Sequence, residues 1–108
     1  YEKFARAKVV VLASFYETTG LVALEGLACG AKVVVSDSPY TRAYFRDAAV
    51  YCDPYDEVSI ASALACALNA LPEEPPDWIT DYTWDRAGEL TLDAYESVLR
   101  FRRDAGAR

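Results

Sequence analysis

Residues 8–36 read KVVVLASFYETTGLVALEGLACGAKVVVS and set two short β-branched runs on either side of an apolar segment. The runs Lys8–Ser14 and Ala31–Ser36 have the composition of strands that are buried on both faces of a sheet. Between them, Gly20–Cys29 has the length of a helix, and Gly30 is a natural stop for it. Parallel strands need such a crossover, so this stretch predicts a right-handed β-α-β unit.

The rest of the chain continues the alternation of helices and strands. We expect the following further elements: a helix end at Tyr1–Ala7, a loop at Phe15–Thr19, a short helix at Tyr40–Phe45, a strand at Ala48–Cys52, a helix at Asp56–Leu71, a break at Pro72–Asp77 and a last helix at Trp84–Arg103 capped by Thr83. This order predicts an α/β fold, namely the second half of a Rossmann-like parallel-sheet domain. The three strands expected here are too few for such a domain, which usually carries about five or six. The first strand would be an open edge unless other strands preceded it.

Apolar stripes on the two long helices predict which of their faces pack. On Asp56–Leu71 the stripe consists of Val58, Ile60, Ala61, Leu64, Ala65 and Leu68. On the last helix the packing positions are Leu90, Leu92, Tyr95, Val98 and Leu99. Because these residues recur at helical spacing, we expect both helices to lie against a core.

Composition excludes several classes of function. The 108 residues are 53% hydrophobic and carry a formal net charge of −6, which suits one folded domain and argues against a nucleic-acid partner. There is no histidine, so the chain alone cannot supply a Ser-His-Asp triad, a Cys-His pair or a histidine metal site. The chain begins at Tyr1 and has no methionine. We therefore expect it to be part of a longer protein.

The three cysteines favour a reducing compartment. Cys29, Cys52 and Cys66 have no C-x-x-C spacing and are odd in number, so neither zinc nor disulfides are expected. Buried free thiols in a cytoplasmic protein are the favoured interpretation. The longest apolar run, Val9–Ala13, is too short to span a bilayer.

The candidate site lies at the carboxyl end of the first strand, because ligands bind at the carboxyl ends of the strands in open α/β sheets. Glu17 follows the first strand, and the turn Thr18-Thr19-Gly20 opens the helix. The backbone N–H groups of Thr19, Gly20, Leu21 and Val22 would be free to meet a phosphate. Gly20 would also let a ligand approach the backbone closely.

Glu25 is unusual because its helix is apolar on nearly all sides, which predicts a buried carboxylate. It lies about 8 Å along the axis from the free N–H groups, roughly the step from a diphosphate to a ribose. A carboxylate can accept hydrogen bonds from both hydroxyls of a vicinal diol. Taken singly, Glu17 and Glu25 are each more often a solvated charge. Their shared setting is what makes the pair informative.

The segment Glu17-x7-Glu25, with its flanks from Ser14 to Gly30, resembles the E-x7-E motif of retaining glycosyltransferases with the GT-B fold, group 1 or family 4. The resemblance extends through Lys32–Asp37 and Asp53-Pro54 to Trp84-Asp-Arg-Ala, and so covers nearly the whole chain. It implies that residues 1–108 are the C-terminal part of the nucleotide-sugar-binding domain, and that the N-terminal acceptor domain is absent.

By this resemblance, Glu25 would bind the ribose of a UDP-, GDP- or ADP-sugar, and Glu17 would face the donor sugar as the catalytic residue. Thr18, Thr19, Gly20, Leu21 and Val22 would hold the sugar and the diphosphate. The sugar would pass with retention to a glycan, lipid or other acceptor, without a bound metal or cofactor. Peripheral membrane contact would run through the missing domain.

Two features depart from the family pattern. Thr18-Thr19-Gly20 replaces the usual aromatic-glycine turn, and the family's phosphate-binding Arg and Lys lie upstream of Tyr1. Arg42 either reaches the ligand or pairs with Asp37 or Asp47 at the surface. Two other functions stay open, an isolated nucleotide-sugar-binding module without catalysis and a GT-B-like nucleotide-sugar epimerase.

Overall fold

A computed structural model describes residues 2–106, and its elements follow the predicted order. They are α1 Glu2–Arg6, β1 Val9–Leu12, α2 Leu21–Ala28, β2 Lys32–Ser36, α3 Pro39–Phe45, β3 Ala49–Cys52, α4 Glu57–Asn69, a 3₁₀ helix Asp77–Asp81 and α5 Trp84–Gly106. The element bounds differ from the expected ones by three residues at most. Tyr1, part of the predicted first helix, lies outside the described residues. The 3₁₀ helix was not predicted.

The three strands form one parallel sheet in the order β1-β2-β3. Val9 pairs with Lys32 at the start of β1, and Val33 pairs with Ala49 at the start of β3. Within residues 2–106, β1 has a neighbouring strand on one side only. The predicted α/β fold with a three-stranded parallel sheet is therefore confirmed.

Helices cover both faces of the sheet, as the β-branched strands require. On one face Val10, Val33 and Val35 pack with α2 and with Phe45 of α3. On the other face Val34 and Cys52 pack with α4. Alternate residues of β2 thus point into two separate clusters, which is the layering of a doubly wound domain.

The predicted apolar face of α4 was partly wrong. Ala63 and Ala67 are buried, and Ile60 and Leu64 are half-buried beside them. The other predicted positions are exposed: Val58, Ala61, Ala65 and Leu68. The buried and half-buried residues lie three or four positions apart and so share one helical face, on which the small side chains of Ala63 and Ala67 let the helix approach β2 and β3 closely. Larger side chains at neighbouring positions drew the prediction away from this face.

The packing positions predicted on α5 are all exposed, together with the rest of the helix. The described chain extends 61 Å along its longest axis. The sequence of α5 does contain an apolar stripe, but no other element within residues 2–106 packs against it. Thr83 does cap the helix as predicted, since its Oγ1 accepts a hydrogen bond from the N–H of Arg86 at 3.1 Å.

No helix in the described part of the chain is both long and apolar enough to cross a bilayer.

Candidate functional site

A cavity of about 540 Å³ opens where the three strands end. Its lining comes from the loops after β1, β2 and β3 and from the start of α4. The lining residues are Ser14, Phe15, Glu17, Ser36, Asp37, Ser38, Tyr51, Cys52, Asp53, Pro54, Tyr55 and Ser59. The cavity thus lies at the carboxyl edge of the sheet, where the strand order predicted a ligand site.

Hydrogen bonds between the strand ends hold the floor of the cavity. The Ser36 hydroxyl donates to the Ser14 carbonyl at 2.6 Å and joins the ends of β1 and β2. The Asp37 N–H donates to the Cys52 carbonyl at 2.8 Å and joins the ends of β2 and β3. Thr41, which is buried, donates to the Ser36 carbonyl at 2.6 Å. These bonds satisfy polar groups that would otherwise be buried without partners.

Glu17 holds its own loop in shape. Its Oε1 accepts hydrogen bonds from the N–H groups of Thr18 at 3.0 Å and Gly20 at 3.1 Å. This corrects one prediction, because the Gly20 N–H is already engaged by Glu17 rather than free for a phosphate. The N–H groups of Leu21 and Val22 have no hydrogen-bond acceptor among residues 2–106, as expected for the start of a helix.

Gly20 is required for the backbone and for packing. Its φ of 73° is in the left-handed region, which residues other than glycine rarely adopt. A Cβ at this position would lie 3.1 Å from Cε2 of Phe45 and 3.4 Å from Cδ2 of Leu12. Gly20 therefore sets the entry of α2 against the core, and the close ligand approach expected from the sequence stays a prediction.

Glu25 is exposed, so its predicted burial was wrong. The inner face of α2, represented by Leu24 and Leu27, packs on the sheet. The outer face carries Glu25 together with Leu21, which is 65% exposed, and Val22, which is 49% exposed. Apolar residues on both faces made the helix look buried throughout. Leu21, Val22 and Glu25 instead share one open surface, as their spacing of three and four residues requires.

The predicted site residues therefore fall into two neighbouring places. Glu17 lines the cavity. Leu21, Val22 and Glu25 lie outside it, on the outer face of α2. Thr18 and Thr19 form the turn between the two places, with Thr18 exposed and Thr19 half-buried.

Arg42 pairs with Asp37, which is one of the two alternatives that the sequence left open. Its Nε and Nη2 donate to the two carboxylate oxygens at 2.5 and 2.7 Å. These hydrogen bonds hold the pKa of Asp37 below its ordinary value. The guanidinium also lies 4.3 Å from the centre of the Tyr51 ring. Burial raises the pKa of Tyr51, whose hydroxyl donates to the Arg46 carbonyl at 2.6 Å.

Sequence reasoning missed most of the cavity wall on the β3 side. Asp53 Oδ1 accepts from the N–H of Tyr55 at 2.9 Å, and the Asp53 N–H donates to Ser59 Oγ at 2.9 Å. The ring of Tyr55 lies 4.9 Å from that of Phe15, which belongs to the loop after β1. Polar residues directly after each parallel strand could have indicated Ser14, Asp37 and Asp53. Nothing local indicated that Tyr55 would meet Phe15.

The family model described as "Glycosyl transferases group 1" matches residues 1–80 of this chain. The match includes the whole sheet, the loop of Glu17 and the outer face of α2, and it leaves out α5. The chain therefore belongs to the group 1 glycosyl transferase family.

The chain is also similar to two curated proteins whose names describe sugar chemistry. The chain is 32% identical over 112 residues to alpha-maltose-1-phosphate synthase of Mycobacterium tuberculosis, with 90% of the chain and 29% of that protein covered. It is 28% identical over 102 residues to O-antigen chain mannosyltransferase B of Escherichia coli, with 86% of the chain and 26% of that protein covered. The chain thus spans less than a third of the length of these relatives. No solved structure matches it.

Proposed function

We propose that this chain is the donor-binding part of a retaining glycosyltransferase of family 4 with the GT-B fold. The enzyme would transfer a sugar from a UDP-, GDP- or ADP-sugar to a glycan, lipid or other acceptor. The observation that carries the proposal is the arrangement around the start of α2. There Glu17 closes the turn, and Glu25 shares an open face with Leu21 and Val22.

Each part of that arrangement suits one part of a nucleotide sugar. The N–H groups of Leu21 and Val22 point out of the helix start, where the helix dipole favours a diphosphate. Glu25 lies one turn further along and offers two acceptor oxygens to the ribose hydroxyls. Glu17 lies beside the helix start with its Oε1 held by the backbone, so that its Oε2 can meet the donor sugar.

The reaction would depend on positioning and on charge. A sugar fixed between the helix start and the acceptor reacts as if at high local concentration. The N–H groups at the helix start stabilise negative charge on the leaving diphosphate. Glu17 would orient the donor sugar near its reacting carbon. The relatives named for maltose-1-phosphate synthesis and for mannosyl transfer support sugar transfer as the class of reaction.

Any lipid surface would meet the remainder of the enzyme rather than these residues. We place the enzyme in the cytoplasm, where nucleotide sugars are available to it and where free thiols such as Cys66, exposed on α4, stay reduced. Contact with a membrane would be peripheral.

The test is Glu25→Gln in the full-length enzyme, with nucleotide-sugar and nucleoside-diphosphate affinity measured by calorimetry. Loss of hydrogen bonds to a charged group costs about 1.5–3 kcal/mol, so we expect binding of both ligands to weaken by about tenfold to a hundredfold. Because Glu25 is exposed, the thermal unfolding temperature without ligand should not change.

Glu74→Gln is the matched control. Glu74 is also exposed, but it lies at the opposite edge of the sheet, near the starts of β2 and β3. Its substitution should leave both affinities as in the wild type. If Glu25→Gln and Glu74→Gln bound the nucleotide sugar and the nucleoside diphosphate with equal affinity, Glu25 would not be the residue that binds the ribose.

A further inference from the structure

The cavity at the carboxyl edge of the sheet is unsuited to a phosphate. Among residues 2–106, its lining includes the carboxylates of Glu17, Asp37 and Asp53 and no lysine or arginine. Arg42 neutralises Asp37 from the side. The other two carboxylates have no ion-pair partner within the described chain, so an anion in the cavity would meet repulsion at short range.

The free polar atoms of the cavity are mainly hydrogen-bond acceptors. Oε2 of Glu17 and Oδ2 of Asp53 have no hydrogen-bond donor among residues 2–106, since the bonds of both carboxylates run to the other oxygen. The hydroxyl of Ser59 accepts a hydrogen bond from the Asp53 N–H and can still donate one. The hydroxyl of Ser14 can also donate, because only the backbone carbonyl of Ser14 is engaged, by Ser36. Such a set can accept hydrogen bonds from, and donate them to, a ligand with several hydroxyl groups.

An aromatic wall stands beside these acceptors. Phe15 and Tyr55 stack with a ring-centre distance of 4.9 Å and an angle of 32° between the ring planes. Phe15 is 69% exposed and Tyr55 is 79% exposed, although both line the cavity. Exposed aromatic surface at the rim of a polar cavity is typical of a binding site. The C–H face of a sugar ring would cover it.

From these observations we infer that the cavity binds an uncharged pyranose ring, which stacks on Phe15 and Tyr55 and donates hydroxyls to Glu17 and Asp53. The inference rests on the proposed function, because it gives that function's site a second, sugar-selective half. The diphosphate stays at the start of α2. Asp53 and Tyr55 then become residues that determine sugar specificity, and neither belongs to the segment from Glu17 to Glu25.

The ring has two possible sources, the donor sugar or the terminal sugar of a glycan acceptor. Glu17 lines the cavity, and its Oε1 accepts hydrogen bonds from the turn before α2, so a donor sugar bound at that turn can enter the cavity. An acceptor sugar would enter from the open side instead. A sugar ring from either source would make the same contacts with the same residues. The experiment below distinguishes the donor sugar from the acceptor sugar.

The experiment uses the full-length enzyme with the variants Asp53→Asn and Tyr55→Ala. Asp53→Asn keeps an Oδ1 acceptor for the Tyr55 N–H while removing the carboxylate charge, so it tests the site even where Tyr55→Ala unfolds. Tyr16→Ala is the matched control, because Tyr16 lies on the same loop as Phe15 and is 81% exposed but does not line the cavity.

Calorimetry would compare UDP-glucose, ADP-glucose and GDP-mannose with UDP, ADP and GDP, and would then titrate maltose into the enzyme saturated with the diphosphate. We expect each variant to weaken binding of the nucleotide sugar or of maltose by about tenfold, because Asp53→Asn removes a charge-assisted hydrogen bond and Tyr55→Ala removes the stacking surface. The diphosphate affinity should stay at the wild-type value. Loss for the nucleotide sugar identifies the donor sugar, and loss for maltose identifies the acceptor.

Three outcomes would overturn the inference. Wild-type affinity of both variants for nucleotide sugars and maltose would leave the proposed function standing without the pyranose site. Tighter diphosphate binding by Asp53→Asn would place the phosphates in the cavity. A wild-type enzyme that binds none of the nucleotide sugars or diphosphates would remove the proposed function and the inference together.

Discussion

Glu17 and Glu25 differ in what surrounds each carboxylate, and this difference separates their proposed roles. Glu17 is half-buried, and its Oε1 accepts two backbone hydrogen bonds from its own turn. Its position is therefore fixed before any ligand binds. Glu25 is exposed on α2, with no such restraint. A fixed carboxylate suits orientation of a reacting sugar, whereas an exposed one suits binding of ribose hydroxyls that arrive with the nucleotide.

Asp37 gives a residue-level prediction for the dependence of stability on pH. The hydrogen bonds from Arg42 lower its pKa in the folded chain, so its stabilising contribution is fully present above the unfolded value of about 3.9. That contribution is lost as the pH falls through the lower, folded pKa. We expect Asp37→Asn to be less stable than the wild type at pH 7, by a small amount because the pair is exposed.

Urea unfolding at pH 7 and at pH 2.5 measures this difference. The difference in free energy of unfolding between the wild type and Asp37→Asn should become smaller at the lower pH. High salt should also make it smaller at pH 7. Asp47→Asn is the control, because Asp47 is exposed nearby and forms no ion pair within residues 2–106. A gap of equal size at both pH values would show that the ion pair with Arg42 is not its cause.

At the level of elements, α2 is held unusually close to β1. A Cβ on Gly26 would lie 2.6 Å from Cγ2 of Val10 and 3.0 Å from its Cβ. Since Val10 belongs to the sheet and cannot move far, any side chain at position 26 would push the helix outward. The helix that carries Leu21, Val22 and Glu25 therefore has its distance from the sheet set by one glycine.

We expect Gly26→Ala to destabilise the fold by about 1–3 kcal/mol through overpacking, although alanine favours helices by about 1 kcal/mol over glycine. Gly88→Ala on α5 is the matched control, because nothing lies within 4 Å of its added Cβ. That variant should show no loss and a gain of up to about 1 kcal/mol. Equilibrium urea unfolding would measure both, and a neutral Gly26→Ala would contradict the close packing.

At the scale of the whole molecule, the sheet and α5 differ in how well their residues are shielded from solvent. Val33, Val34 and Val35 of β2 are at most 1% exposed, whereas every residue of α5 is exposed. A helix without tertiary contacts is marginally stable in water. The sheet and α5 should therefore behave as separate units of stability in this chain.

Hydrogen exchange of residues 1–108 tests this prediction. We expect the amides of α5 to exchange at least about a hundredfold faster than those of Val33–Val35, because α5 opens locally while β2 opens only with the core. Mass spectrometry of exchanged peptides would resolve the two segments. Equal protection of α5 and β2 would mean that the helix is covered by something in solution.

Local patterns determined the elements of this protein. The β-branched runs KVVVL and KVVVS indicated buried strands, and the polar cap Thr83 indicated where the last helix begins. Order and chirality then left a parallel sheet as the arrangement and predicted a ligand site at its carboxyl edge. The position of Glu17 followed directly, because it comes a few residues after a strand.

Only the tertiary structure decided which faces are open and which residues meet. The apolar outer face of α2 looks buried in the sequence, yet it and Glu25 are exposed, since burial depends on neighbours rather than on composition. Phe15 and Tyr55 lie 40 positions apart and meet because the parallel register places the ends of β1 and β3 at one edge. Contacts between distant loops arise from the pairing of strands, and no local pattern records them.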